Sequence, residues 1–275
     1  MKVRDNKMFR ETTYIGYSAR MMELLMNNEY FILKRIITKP GVIFENLRTC
    51  LEERNISVIE NDSAVLLDEY VDTELCIIYK YGHIIPMKTI KKREYYNIHP
   101  GSIRSNRGAH PLRWSVLLGD DITYLSLYKI DGLDEGDLIC EVPVKISDLN
   151  YEEADEQMDK HLTKVLRIFK EYLTNDRKGE RVVGGIYRNK IVENDYSISL
   201  RDDDYSTIQK KIRSVSDFGG AVVLWNDIKF RVVRVMRAEE YSNERIKKDY
   251  NDEFLYLLGY DGEQIILECS EYRWV

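Results

Sequence analysis

The run Glu74–Tyr79 (Glu-Leu-Cys-Ile-Ile-Tyr) is short and, after its first residue, continuously apolar. A strand with one wet face alternates polar and apolar residues. This one does not, so it belongs in the middle of a sheet covered on both sides. The segments around it alternate in kind. Thr12–Ile15 reads as a strand ending at Gly16, and Ala19–Met26 as a helix with Met22, Leu25 and Met26 on one face. Phe31–Thr38 reads as a strand stopped by Lys39-Pro40-Gly41. Ile43–Glu53 reads as a helix, with Phe44, Leu47 and Leu51 at helical spacing; Ser57–Ile59 and Tyr95–Ile98 are strands. This β-α-β-α-β order predicts an α/β fold: a Rossmann-like, mostly parallel sheet with helices on both faces. Ligands of such sheets gather at the carboxyl ends of strands. The residues just after Tyr79 and Ile98 are therefore the first place to look for a site.

Further on, Leu112–Leu118 reads as a short helix, and Ile122–Ile130 and Leu138–Val142 as strands. A long helix is expected from Asn150 to about Leu173, with Met158, Leu162, Val165, Leu166 and Phe169 forming an apolar stripe for core packing. After Asn175 comes a charged, Gly-containing stretch that reads as a linker. Ser206–Ser214 is a helix candidate. Ala221–Trp225 with Ile228–Val235, and Phe254–Leu258 with Gln264–Glu268 around Tyr260-Asp261-Gly262, read as two hairpins. The expected organisation is an N-terminal α/β domain over 1–175, a linker over 176–205 and a small β-rich C-terminal domain over 206–275.

Composition excludes several classes. The 275 residues carry a net charge of −6, which argues against a nucleic-acid backbone as the main partner, because phosphate neutralisation needs clustered Lys and Arg. No stretch approaches the roughly 18–20 apolar residues of a membrane span, and the N-terminus has no apolar leader core. A cytoplasmic protein without membrane insertion is expected. Cys50, Cys76, Cys140 and Cys269 are far apart with no C-x-x-C, so neither a disulfide framework nor a metal site is expected. The stretch Ile15-Gly16-Tyr17-Ser18-Ala19-Arg20 lacks the G-x-G-x-x-G spacing of a dinucleotide site. P-loop, G-x-S-x-G and H-E-x-x-H motifs are absent as well. The 20 tyrosines are read first as half-buried strand residues.

The informative segment is Asn97-Ile98-His99-Pro100-Gly101-Ser102-Ile103-Arg104-Ser105-Asn106-Arg107-Gly108, followed by Pro111, Trp114, Gly119 and Gly132-Leu-Asp-Glu-Gly-Asp-Leu-Ile139. These residues resemble the N-x-H, Arg-Gly and LDxGD motifs of the formyltransferase family that uses N10-formyltetrahydrofolate. Asn97, His99 and Asp134 match that family's catalytic trio. The resemblance implies a formyl group passed from the folate co-substrate to an amine, with Asn97 and His99 stabilising a developing oxyanion. It leaves open whether His99 or Asp134 takes the amine proton. Tyr79–Pro86 looks like the family's folate-lining loop, which makes Tyr81, Gly82, His83, Ile84, Ile85 and Pro86 folate-contact candidates, together with Gly132 and Leu133. Ile212–Val223 resembles a C-terminal segment of the tRNA and amino-sugar branches.

One departure stands in the loop after His99. Arg104 occupies a position where the family commonly has proline, and is open to a pyrophosphate or to solvent. Arg107 and Gly108 are candidates for a substrate phosphate or for shaping the loop. His83 is either a folate contact or a surface residue, His110 and His161 read as structural or solvated, and Trp114 reads as core. The His-Pro-Gly start resembles the branch acting on nucleotide-linked amino sugars. Residues 201–275 hold 12 Lys and Arg against 15 Asp and Glu, a net of −3, which disfavours tRNA. A dTDP- or UDP-linked amino sugar is therefore the expected acceptor. Methionyl-tRNA, hydrolysis of formyltetrahydrofolate, or folate or nucleotide-sugar binding without turnover are the alternatives. A homodimer is possible.

Overall fold

A computed structural model describes residues 9–43, 45–61, 63, 67–132, 135–175, 177–225, 228–237, 254–258 and 264–274. In chain order the first elements are β1 (Arg10–Gly16), α1 (Ala19–Met26), β2 (Phe31–Thr38), α2 (Glu45–Glu53), β3 (Ser57–Glu60), α3 (Leu67–Tyr70), β4 (Leu75–Tyr79), α4 (Met87–Ile90) and β5 (Glu94–His99). They are followed by β6 (Arg107–Gly108), α5 (Pro111–Leu118), β7 (Ile122–Gly132), β8 (Glu135–Lys145), α6 (Tyr151–Thr174), β9 (Glu180–Val182), β10 (Tyr187–Arg188), α7 (Glu193–Tyr196) and β11 (Ser197–Ile198). The chain ends with α8 (Tyr205–Ser214), a 3-10 turn (Ser216–Phe218), β12 (Ala221–Trp225), β13 (Ile228–Arg237), β14 (Phe254–Leu258) and β15 (Gln264–Trp274).

The main sheet has the order β3-β2-β1-β4-β5-β7-β8-β9. Its first five strands are parallel neighbours. β7 then runs antiparallel to β5. Moving outward from β1 to β3 and then back to β4 reverses the winding direction. With right-handed crossovers this puts α1 and α2 on one face and α3 on the other. The register agrees with two covered faces. Ile15, Cys76, Ile78 and Tyr95 pack with Ile37, Leu67, Val71, Ile85 and Ile90 under α3 and α4. The opposite face meets α6, whose Phe169 stacks on Phe31 at 5.1 Å and leans on Tyr96 at 4.6 Å between ring centroids. All five stripe residues of α6 named above are buried. The buried run Leu75–Tyr79 is the central strand its composition demanded.

By internal packing the chain forms two compact units. The first comprises 1–108, 124–144 and 158–187; the second comprises 109–123, 145–157 and 188–275. In the second, β11, β12, β13, β15 and β14 form a five-stranded sheet in that order. Its core gathers Ile208, Ile212 and Val215 against Val222, Val232 and Leu267. Both hairpin pairings read from the sequence are present as antiparallel ladders, β12 with β13 and β14 with β15; the Asp261-Gly262 turn lies outside the described residues. Arg113 ties this unit internally. Its guanidinium lies 3.9 Å from the Tyr151 ring centre and 4.0 Å from that of Phe218. It also donates to both oxygens of Asp217, at 2.7 and 2.8 Å, and to Ser214 O. Trp114, expected in the core, is only partly buried; its indole N–H donates to Asn189 O, and Arg188 lies over its ring. The stretch 177–205, read as a linker, contains four short elements, β9 to β11 and α7. Among the described residues no helix is long and apolar enough to cross a membrane.

Candidate active site

The sheet order changes direction between β1 and β4, where open α/β sheets commonly bind their ligands. Here that crevice is closed from within. A Cβ on Gly16 would stand 1.8 Å from Tyr79 O, so only glycine lets the two strand ends meet. Tyr14 donates its hydroxyl proton to Tyr79 O and receives the Ser18 N–H. The carboxylate of Asp159, from α6, accepts from Tyr79 OH at 2.9 Å and Lys80 Nζ at 3.2 Å, and lies 3.4 Å from Ser18 Oγ. Ser18 is the N-cap of α1. A helix N-terminus favours anions, and in this fold an internal carboxylate already stands beside it. Burial pushes the Tyr14 phenol far above its ordinary value, with Asp159 adding to the effect. Tyr14 is thus a fixed neutral hydrogen-bonding post.

The open chemistry lies one strand over, at the carboxyl end of β5. Successive side chains of a strand point to opposite faces. Asn97 and His99 therefore share the face of Tyr95, the side covered by α3 and α4. Across the antiparallel pair they stand opposite Tyr128 and Ser126. The Asn97 amide donates to Tyr128 OH at 2.9 Å. His99 is 4% exposed, and its Nε2 lies 2.9 Å from Asn106 O. A carbonyl only accepts, so Nε2 carries a proton, and the neutral form of the ring has its lone pair on Nδ1.

The loop from Pro100 to Asn106 folds back over the same face. Its Ile103 is buried with Tyr128, Leu138 and Val182. Polar bonds hold the rest: Asn106 N–H donates to Ser102 O at 2.7 Å, and Ser102 Oγ donates to Glu141 Oε1 at 2.7 Å. Arg104 is half-exposed and held by two carboxylates. It makes a paired contact with Glu180 at 2.5 and 2.8 Å and reaches Glu141 at 3.3 Å. The Glu180 hydrogen bond raises the Arg104 pKa, and the same bond lowers that of Glu180. Arg107 is buried and donates to Ile103 O at 2.7 Å and Val182 O at 3.4 Å. These contacts shape the loop. Gly108 takes φ 92 at its end.

The segment 81–86 leaves β4 beside β5, at the same end of the sheet. Ile85 is buried and Tyr81 packs on the same cluster. His83 meets Tyr81 edge-on at 5.3 Å. Ile84 is 68% exposed, a Cβ on Gly82 would meet nothing within 4 Å, and Pro86 precedes α4 with φ −60. One half of this loop is thus anchored and the other presents an apolar, open rim. Gly132 is placed differently. The β5–β7 register, which pairs Tyr96 with Lys129 and His99 with Ser126, carries Gly132 past the amino end of β5, roughly 20 Å from His99 at about 3.3 Å per residue. Leu133 and Asp134 lie outside the described residues. A cavity of about 650 Å³ lies elsewhere, within the second unit, lined by Ser199, Arg201, Leu224 and Lys229 among others. None of the candidate residues borders it. Among the described residues no group of three His, Cys, Asp or Glu is arranged to hold a metal ion.

Glu141 was not singled out by sequence reasoning. It sits in an alternating strand, where a glutamate ordinarily faces water, and only the folded loop reveals its partners.

Residues 36–167 match the family model for formyl transferase. The chain carries a formyl transferase domain. That domain runs from within β2 into α6 and contains Asn97, His99, the loop and Glu141. The methionyl-tRNA formyltransferase of Rickettsia prowazekii is 29% identical over 209 residues, covering 72% of this chain; the chain spans 64% of that relative's length. Among solved structures, WlaRD, a sugar 3N-formyl transferase in the presence of dTDP and 5-N-formyl-THF, superposes with a TM-score of 0.67 at 16% identity. That likeness covers 95% of this chain and 98% of WlaRD. HypX from Aquifex aeolicus in complex with tetrahydrofolic acid superposes with a TM-score of 0.64 at 17% identity, over 94% of this chain and 43% of HypX. The formyl transferase domain thus sits in the fold these structures share: a mostly parallel sheet with helices, followed by a smaller antiparallel sheet.

Proposed function

We propose that this chain transfers a formyl group from N10-formyltetrahydrofolate to the amine of a dTDP- or UDP-linked amino-deoxy sugar. The observation that carries the reading is the pair Asn97 and His99, two residues apart on one face at the carboxyl end of β5, inside the matched domain. The folate co-substrate supplies an activated formyl carbonyl. The chain supplies what must surround it. Asn97 has a second amide N–H beyond the one given to Tyr128, and in this reading it donates to the formyl oxygen as charge develops there. His99 is fixed through Nε2, which leaves Nδ1 to exchange a proton with the reacting groups. One preorganised donor of this kind accounts for about 2.7–4 kcal/mol of barrier lowering. The rim formed by Tyr81, Gly82, His83 and Ile84 offers an apolar edge for a flat ring. Asp134 completes the trio by resemblance.

The sugar acceptor is favoured by the near end-to-end likeness to WlaRD and by the net charge of −3 over 201–275. Methionyl-tRNA is the second reading, favoured by the Rickettsia relative. Purified protein is to be given N10-formyltetrahydrofolate with a panel of nucleotide-linked amino sugars, with methionyl-tRNA, and with neither, while tetrahydrofolate release is followed. Release that requires an amino sugar supports the proposal. Release with tRNA alone selects the second reading, and release without any amine marks a hydrolase. Binding of folate or nucleotide with no turnover on any acceptor would point to a binding module.

A further inference from the structure

The loop after His99 has Pro100 at its start and no proline from Gly101 to Asn106, yet its backbone is closely tied there. Three of its side-chain ties meet at one carboxylate. Glu141 Oε1 accepts from Ser102 Oγ at 2.7 Å and lies 3.0 Å from Ser126 Oγ; Oε2 accepts from Arg104 Nε at 3.3 Å. Ser126, directly opposite His99 in the ladder, bonds Gly101 O at 2.6 Å and receives the Ile103 N–H at 3.3 Å. Ser102 in turn receives the Arg104 N–H through its hydroxyl and the Asn106 N–H through its carbonyl. Asn106 O is the group that holds His99 Nε2. A chain of hydrogen bonds thus runs from Glu141 through Ser102 to Asn106 and on to the imidazole. Glu141 itself is largely buried, its side chain 15% exposed.

We infer that Glu141 is a positioning residue for His99: it closes the 100–106 loop so that the Asn106 carbonyl fixes the imidazole with its proton on Nε2. Hydrogen-bonded partners behind a functional imidazole set which ring nitrogen stays reactive. Glu141 takes over, by hydrogen bonding, the rigidity that a loop proline would give by ring closure. Its effect on turnover rests on the formyl-transfer reading; its effect on the imidazole does not.

The test uses the full chain with 15N-labelled histidine. The ring-nitrogen shifts of His99, assigned by their disappearance in His99→Asn, report which nitrogen is protonated. The wild type is expected to give one Nε2–H form. Glu141→Ala is expected to give averaged shifts of two tautomers, and a fall of tenfold or more in kcat with folate KM changed less than threefold. Glu141→Gln keeps an acceptor and the side-chain shape, and is expected to restore most of the Nε2–H signal. Glu180→Gln, which breaks only the exposed end of the Arg104 contact, is expected to leave the His99 shifts unchanged. A single Nε2–H form persisting in Glu141→Ala overturns the inference. Should Glu141→Ala fail to fold, Ser102→Ala breaks the same chain one link later, and an unchanged His99 spectrum there overturns it too. A wild type inactive toward every acceptor removes the formyl-transfer reading while the spectra still decide the role of Glu141.

Discussion

Replacing Asn97 by alanine separates the chemical use of this side chain from its structural use. The side chain makes one hydrogen bond, to Tyr128 OH at 2.9 Å, on a residue that is only partly buried. Losing it costs about 1 kcal/mol of stability, the typical net worth of one such bond. For a chain of this size that corresponds to a melting shift of roughly 2–4 °C. The kinetic expectation is much larger. If the second amide N–H meets the formyl oxygen only as charge builds on it, its loss appears in kcat, by roughly 10²–10³. Folate KM should move little, because the bond is strong only in the transition state. The assay is stopped-flow release of tetrahydrofolate at saturating acceptor, with thermal melting of the same preparation. Asn97→Asp sharpens it: the Asn97 amide donates to Tyr128 OH, whereas the carboxylate accepts the Tyr128 hydroxyl proton, so the contact is kept with its direction reversed, but an anion now faces the oxyanion and the rate should fall at least as far as in the alanine variant. A kcat within threefold of wild type in both variants, with folding intact, would refute the assignment of Asn97 as the oxyanion donor.

Other expectations follow from the same contacts. His99→Asn removes the ring that exchanges the proton, and should abolish formyl transfer while melting within a few degrees of wild type by calorimetry. Asp134→Asn should lower kcat by roughly 10²-fold or more if the carboxylate joins Asn97 and His99 in general acid–base work; since Gly132 stands at the far end of β7, an unchanged kcat would remove Asp134 from the trio. Phe169→Ala should cost about 3–5 kcal/mol, read by denaturant melts, because the ring is fully buried between Phe31 and Tyr96. Burial alone would raise the Glu94 pKa, but Arg10 at 2.6 Å and Lys129 at 3.2 Å outweigh it and hold the carboxyl below its ordinary 4.5. A lowered folded pKa stabilises above the unfolded value and loses that stability as pH falls through the folded one. The stability gap between wild type and Glu94→Gln should therefore shrink as pH drops from about 5 to about 3; a constant gap in acid titration would refute the ion-pair account.

The first five strands were legible because each is a run of one period between breakers, such as Phe31–Thr38 before Lys39-Pro40-Gly41. Their parallel direction followed from the helices between them. The reversal at β7 could not be read in the same way. A loop and one short helix do not say on which side, or which way up, the next strand returns; here it returns antiparallel beside β5. Strands of two or three residues, such as β9 and β11, carry too few positions to show a period, so the charged stretch after Asn175 resembled a linker. Asn97 and His99 were visible as a motif. Their environment was not, because the groups they bond are the Tyr128 hydroxyl and the Asn106 backbone carbonyl, and the glutamate bonded to that loop lies some forty positions away. Arg104 illustrates the limit well: from sequence alone it suited a phosphate, and in the fold two carboxylates hold it.

Neither compact unit is a continuous stretch of chain. The first is complete only when residues 158–187 have joined residues 1–108 and 124–144. A ribosome releasing the chain from its N-terminus therefore exposes the five parallel strands well before the second half of α6 exists to cover them. Phe31 and Tyr96 must wait for Phe169, a separation that makes early collapse slow and leaves an apolar sheet face open to other chains in the interval. Expression of a fragment cut before α6 would trap that intermediate. The same interleaving means that no single cut yields two self-sufficient halves.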